Sequence, residues 1–199
     1  MLSDTDLSAG CIFIFMIRTF ISVDVPVTEE LRSVLETLKK VDGVRVTPEN
    51  QLHLTLKFLG DVDEKNVERL CSELKRSLAG TEPFDVVIQG TGAFPNQRNP
   101  RVLWLGVKDP KRLIDAAEVV DSTVKGLKIK ADDKKFSPHL TVGRINGKCD
   151  LKDFFKNNDK KVFCSFRCDH IDVMKSVLTP KGAMHSIVDR IKLESSSFQ

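Results

Sequence analysis

Apolar positions in this 199-residue chain change their period several times, and each change predicts an element. From Met16 the run Ile17 to Val25 alternates, with Thr19, Ile21, Val23 and Val25 on one parity, as in an opening strand. Beyond Pro26 the period becomes helical. Thr28 reads as N-cap, Glu29 and Glu30 fill the first turn, Leu31, Val34, Leu35 and Leu38 form a stripe, and Lys39 and Lys40 precede Gly43. A second stripe after Asp63 runs through Val67, Leu70, Cys71, Leu74 and Leu78 to Gly80. A third helix is expected from Asp109 as N-cap and Pro110 at the first helical position, through Leu113, Ala116, Ala117, Val120 and Val124, to Gly126. Asp150 is expected to cap a short fourth helix through Phe155.

Runs of strand character lie between these helices: His53 to Leu59, Phe84 to Gln89, Val102 to Val107, Leu127 to Ala131, His139 to Arg144, Val162 to Cys168, Ile171 to Val177 and Ala183 to Ile191. Strands alternate with helices early and cluster late, so the class is α+β or α/β, with a mixed or largely antiparallel sheet favoured over a doubly wound parallel one. Residues 1–15 stand apart from the pattern. They turn from polar to abruptly apolar, so Met16 reads as the natural start and 1–15 as an upstream or mis-assigned extension, the alternative being an extra strand.

Composition adds bounds. Thirty-one Lys and Arg against 28 Asp and Glu give a net charge of +3, too mild for wrapping a duplex. Five scattered Cys argue against a disulfide scaffold and for a reducing, cytoplasmic setting. The longest apolar run, Cys11 to Ile17, is far short of the ~20 residues of a membrane helix, and Asp4 and Asp6 make a poor signal peptide. A soluble, unexported protein is expected. Cys164, Phe166, Cys168 and His170 alternate on one strand, but ligands spread over ~20 Å of extended chain do not converge on zinc.

One short element occurs twice, His53-Leu-Thr-Leu56 and His139-Leu-Thr-Val142, each early in an expected strand. The repeat points to two lobes of similar build, divided near Gly90 to Asn99. Side chains at i and i+2 share a face, so His53 projects with Thr55 and His139 with Thr141, while Leu54, Leu56, Leu140 and Val142 anchor the strands in the core. Facing each other across a cleft, two imidazoles supply a general base and a general acid for displacement at phosphorus, and two hydroxyls donate to its non-bridging oxygens. No third ligand stands beside either His, so neither a metal nor a cofactor is expected. Lys57 shares the parity of His53 and is a candidate phosphate contact. Arg144 has the opposite parity from His139 and reaches the site if Gly143 permits a bulge. Phe58 and Trp104 read as packing, His185 as structural or surface, and Arg101 as a weaker cleft candidate.

His53-Leu-Thr-Leu-Lys-Phe-Leu-Gly60 and Ser137-Pro-His-Leu-Thr-Val-Gly-Arg144 resemble the two signature motifs of the two-histidine (2H) phosphoesterases, specifically the LigT-type RNA 2',3'-cyclic phosphodiesterases. Arg18 to Asp24, Phe94 to Asn96, Arg101 to Gly106 and Ser176 to Gly182 agree with that family in order and spacing. The resemblance, covering Met16 to about Leu193, implies a single bilobal domain over 16–199, antiparallel sheets inside and helices outside, around a central cleft. It implies hydrolysis of RNA 2',3'-cyclic phosphate ends to 2'-phosphates, for which the quartet needs no metal; a monomer is expected, and the sequence leaves open whether the substrate is a tRNA half, another RNA end or a small cyclic nucleotide. His53 would be the proton donor, His139 the proton acceptor, and Thr55 and Thr141 the phosphate ligands. The residues alone do not decide which His is the acid. A 2'-5' RNA ligase activity in the reverse sense, a non-catalytic RNA or nucleotide binding module, and a metal-dependent phosphoesterase are the competing readings.

Overall fold

The computed structural model describes residues 15–180 and 182–195, so the segment 1–14 of the expected extension lies outside the described residues. The first strand, β1 (Met16–Asp24), leads into helix α1 (Glu29–Lys39), where Thr28 Oγ1 accepts from Leu31 N and donates to the Phe163 carbonyl. Next come β2 (Val44–Val46), β3 (His53–Asp63) and α2 (Glu64–Ser77), the last capped by Asp63 through Lys65 N. The chain then forms β4 (Phe84–Phe94), β5 (Val102–Lys108), α3 (Lys111–Gly126), β6 (His139–Ile145), α4 (Lys152–Asn158), β7 (Val162–Cys168), β8 (His170–Thr179) and β9 (Gly182–Lys192). Among the described residues no helix is long and apolar enough to cross a membrane.

The four helices bury the stripes that the sequence predicts, but three local expectations change. Asp109 takes a positive φ of 46° and does not cap α3, which starts behind Pro110 without a side-chain cap bond. The strand expected at Leu127 to Ala131 is instead the C-terminal turn of α3. Lys128 adopts φ 56°, and Ile129 N and Lys128 N bond back to Val124 O and Lys125 O, capping the last carbonyls of the helix. Asp150 Oδ1 accepts from Lys152 N, while Leu151 holds the cap position of α4.

All nine strands join one antiparallel sheet in the order β7-β4-β5-β6-β3-β1-β8-β9, with β2 on the side of β6. The two expected lobes are therefore two halves of one curled sheet, continuous through a single residue pair, Leu54 with Leu140. Residues 90–94 belong to β4, so no division falls there. The strands of the first half are β1, β3, β8 and β9, and the chain crosses to the other half for β2 and again from β4 to β7.

Helices cover the outer face. α2 and α3 pack on each other and on β3, α2 also reaches β1 and β9, α1 lies against β2 and β7, and α4 against β4. Leu54, Leu56, Leu140 and Val142 join the helix stripes in one continuous core, which leaves the other face of β3 and β6 to line a cleft.

Candidate active site

The central pair fixes the geometry. Leu54 and Leu140 are fully buried, so the residues flanking each of them, His53 with Thr55 and His139 with Thr141, turn to the opposite face. Antiparallel pairing about Leu54 and Leu140 places His53 on the side of Thr141 and Thr55 on the side of His139. The quartet thus has a local two-fold relation, and all four residues are half-buried at the floor of a cleft of about 490 Å³.

Each imidazole is oriented in the same way. His53 Nδ1 lies 2.8 Å from the Gln51 carbonyl and His139 Nδ1 lies 2.6 Å from the Ser137 carbonyl, in both cases two residues upstream. A carbonyl oxygen only accepts, so Nδ1 carries the proton in both rings. Nε2 is then left for chemistry, a lone pair in the neutral ring and an N–H in the cation.

The surroundings of the two rings differ. His53 packs against Phe20 with centroids 4.9 Å apart and against His185 at 5.3 Å. Burial lowers its pKa from the ordinary value, opposed by the Gln51 carbonyl and reinforced by His185. His139 is flanked instead by Phe94, edge-on at 5.0 Å, and by Trp104 at 6.5 Å. Gly92 makes room for that indole, since a Cβ there would lie 2.2 Å from Trp104 ring carbons.

Past the fourth residue of each motif the expected alternation fails, for one reason. In the β1 and β3 register Ser22 faces Thr55 and Ile21 faces Lys57, leaving Leu56 as an extra residue. In the β5 and β6 register Trp104 faces Thr141 and Leu103 faces Gly143, leaving Val142 as the extra residue. Each bulge reverses the parity of the residues beyond it. Lys57, expected at the cleft, therefore points into the protein, 8% exposed, with Nζ 2.6 Å from Asp121 Oδ1 and donating to the Asp132 carbonyl at 2.5 Å. Hydrogen bonds from Lys125 and Lys57 hold the Asp121 carboxyl below the usual carboxylate range. Phe58, expected in the core, lines the cleft with Arg18 stacked on its ring at 5.2 Å. Arg144 reaches the cleft because the bulge that was its condition is present. Arg101 is exposed and lies outside the cleft lining.

Comparison with known proteins places this geometry. Residues 21–104, which include the first motif, match the family model described as LigT like phosphoesterase. An RNA 2',3'-cyclic phosphodiesterase of Archaeoglobus fulgidus is 36% identical over 171 residues, 84% of this chain and 96% of the relative. The chain belongs to the LigT-like phosphoesterases. A relative of the same name from Methanothermobacter thermautotrophicus is 34% identical, covering 89% of this chain and 99% of its own. The crystal structure of TT0787 of Thermus thermophilus superposes with a TM-score of 0.75 at 29% identity, over 90% of this chain and all of that one. E. coli LigT complexed with 3'-AMP shares the fold, with a TM-score of 0.72 at 21% identity, over 91% of this chain and all of that one.

Within this LigT-like phosphoesterase two cleft residues were illegible in the sequence. His185 arrives from β9, far along the chain, edge-on to Phe20 at 4.9 Å, with Nδ1 buried and without a hydrogen-bond partner. Its position beside His53 depends on the pairing of β9 with β8 and of β8 with β1, which no local pattern encodes. Arg45 stands on the three-residue β2, too short to be recognised by alternation. Among the described residues no group of three or more His, Cys, Asp or Glu is arranged to hold a metal ion.

Proposed function

We propose that this chain is an RNA 2',3'-cyclic phosphodiesterase that opens the cyclic phosphate to a 2'-phosphate by general acid and base catalysis between His53 and His139. The observation that carries the reading is the pair of identically tethered imidazoles on two motifs related about the Leu54 and Leu140 pair. His139, neutral, takes a proton from water through Nε2 as the oxygen attacks phosphorus, and His53, protonated, gives its Nε2 proton to the departing ribose 3'-oxygen. The P–O3' bond breaks as the P–O(water) bond forms. Thr55 and Thr141 donate to the non-bridging oxygens, where negative charge grows in the transition state.

Burial disfavours the cationic His53 that this role needs, and the anionic phosphate counters it, since a negative charge close to an imidazole favours its protonated form. The acid is therefore armed by the substrate. Both motifs come from one chain, so a single copy holds both halves of the site, which supports the reading of a protein that acts as a monomer.

The test is incubation, in excess chelator, with a short RNA ending in a 2',3'-cyclic phosphate, resolving 2'- from 3'-phosphate products by chromatography. A 2'-phosphate is expected. A 3'-phosphate product, or loss of turnover on chelation, would contradict the reading.

A further inference from the structure

The mild net charge of the chain conceals an uneven distribution. Residues 95–101 and 145–161 carry seven Lys or Arg against three Asp, a surplus of four, so the rest of the chain is left with −1 of the total of +3. The seven cations, Arg98, Arg101, Lys148, Lys152, Lys156, Lys160 and Lys161, are all exposed. Among the described residues none of them forms an ion pair with a carboxylate. The fold sets the two segments side by side. Ile145 N donates to the Arg101 carbonyl at 2.9 Å, and Arg98 and Pro100 share a hollow of about 700 Å³ with Leu151, Lys152, Phe155 and Lys156. Asp150 and Asp159 line it too, Asp150 accepting from Lys152 N at 3.0 Å. An apolar floor beneath a cationic rim suits a nucleic-acid strand, with its alternation of phosphates and bases.

The hollow shares no lining residue with the cleft of the quartet, yet both segments start at the edge of that cleft. Phe94, edge-on to His139, accepts through its carbonyl from Arg101 N at 2.7 Å and so closes the loop 95–100, while Ile145 directly follows the cleft residue Arg144. Arg98 stands four residues past Phe94, at most about 14 Å of chain. Asn96 Oδ1 accepts from Arg98 N and Asn99 N at 3.0 Å each, which braces the loop ahead of binding. The hollow beyond His53, at the other end of the cleft, is lined by Asp24 and Asp172, and Arg190 there is already bound to Asp172, so it disfavours a polyanion. We infer that the face formed by residues 95–101 and 145–161 binds the sugar-phosphate backbone of the RNA strand that carries the cyclic end, upstream of the nucleotide in the cleft. Resting on the cyclic phosphodiesterase reading, this makes the preferred substrate an RNA chain of several nucleotides rather than a nucleoside 2',3'-cyclic phosphate.

The experiment measures kcat/KM for a nucleoside 2',3'-cyclic phosphate and for single-stranded RNAs of about 5, 10 and 20 nucleotides with the same cyclic end, lengths that bracket the usual footprint of a single-strand site. In the wild type kcat/KM is expected to rise about tenfold or more with length, chiefly through KM, and the rise should fade as salt is added. In the triple variant Arg98→Ala, Lys152→Ala, Lys156→Ala the gain should shrink to within about threefold and the salt slope should become shallower by about two, while the rate on the nucleoside cyclic phosphate stays unchanged and reports an intact fold. A control variant, Lys65→Ala, Arg69→Ala, Lys111→Ala, removes three exposed cations from α2 and α3 and should keep the gain. No gain with length in the wild type, a gain that survives in the first variant, or an equal loss in the control would overturn the inference. Fluorescence anisotropy with a 20-nucleotide RNA ending in a 3'-hydroxyl reads the face without turnover. If no substrate is hydrolysed yet this RNA binds about tenfold more weakly to the first variant than to the wild type, the catalytic reading fails and the RNA-binding face stands. Equal affinities of the wild type and that variant would sink the face.

Discussion

The strands bearing His53 and His139 match for four residues and a bulge, and diverge at the residue that the bulge turns inward. On β3 that residue is Lys57, whose ammonium crosses to Asp121 on α3 and to the carbonyl of Asp132 in the loop that leads to His139. On β6 it is Gly143, since β2 lies against that strand and a Cβ would come within 3.3 Å of the Arg45 carbonyl and of Val44 Cγ1. The residues turned outward differ as well, Phe58 on one side and Arg144 on the other. One repeated chemical unit thus sits in two unlike settings. The difference leaves an aromatic ring in the cleft beyond Thr55 and a cationic group beyond Thr141.

The largest effects should come from what the two strands share. Replacing either His53 or His139 by Ala should lower kcat by about 10²- to 10⁴-fold, the usual scale for a positioned acid or base, in steady-state assays on a cyclic-phosphate RNA. Thr55→Val and Thr141→Val should each cost about 10²-fold in kcat, as expected for a lost donor to a developing oxyanion. A strongly unequal pair of threonine effects would show that the two halves do not hold the phosphate symmetrically.

Smaller effects should arise where the strands differ. Lys57→Met leaves the Asp121 carboxylate short of a partner and should destabilise the fold by about 2 kcal/mol in urea unfolding, less than for a fully buried pair because Asp121 is partly exposed. Gly143→Ala should cost about 1 kcal/mol as β2 shifts to admit the methyl group.

The pH response should be one-sided. Burial lowers the pKa of both His53 and His185, so the unfolded chain takes up protons first as the pH falls below the ordinary value near 6.5. Stability should therefore decline from pH 7 towards pH 5, and His185→Phe should flatten that decline when urea midpoints are compared. A midpoint that rises on acidification would contradict the environment assigned to the two rings.

Residue types at fixed spacing made the placement of the quartet readable, because alternation holds as far as the fourth residue of each motif. It failed at the next residue. Whether Lys57 or Phe58 meets the cleft depends on Leu56 being squeezed out of register against β1, which is a property of two strands together. Gly143 did mark the corresponding bulge on β6, since a glycine inside a strand pattern is a local sign of close backbone approach. Helices were legible through their stripes, while two caps were not: at Asp109 a left-handed backbone removed an otherwise suitable cap, and at α4 Leu151 rather than Asp150 holds the cap position. His185 and Arg45 come from strands whose neighbours lie far away in the chain, and the two lobes proved to be one sheet for the same reason.

The central claim is directional: His53 protonates the leaving oxygen and His139 activates water. It is tested most directly with a 2',3'-cyclic phosphate RNA whose bridging 3'-oxygen is replaced by sulfur, a leaving group that departs as a thiolate without needing a proton. On this substrate His53→Ala should recover most of the wild-type rate while His139→Ala stays inactive. Recovery by His139→Ala with His53→Ala inactive would reverse the assignment, and no recovery in either would contradict acid and base catalysis by this pair.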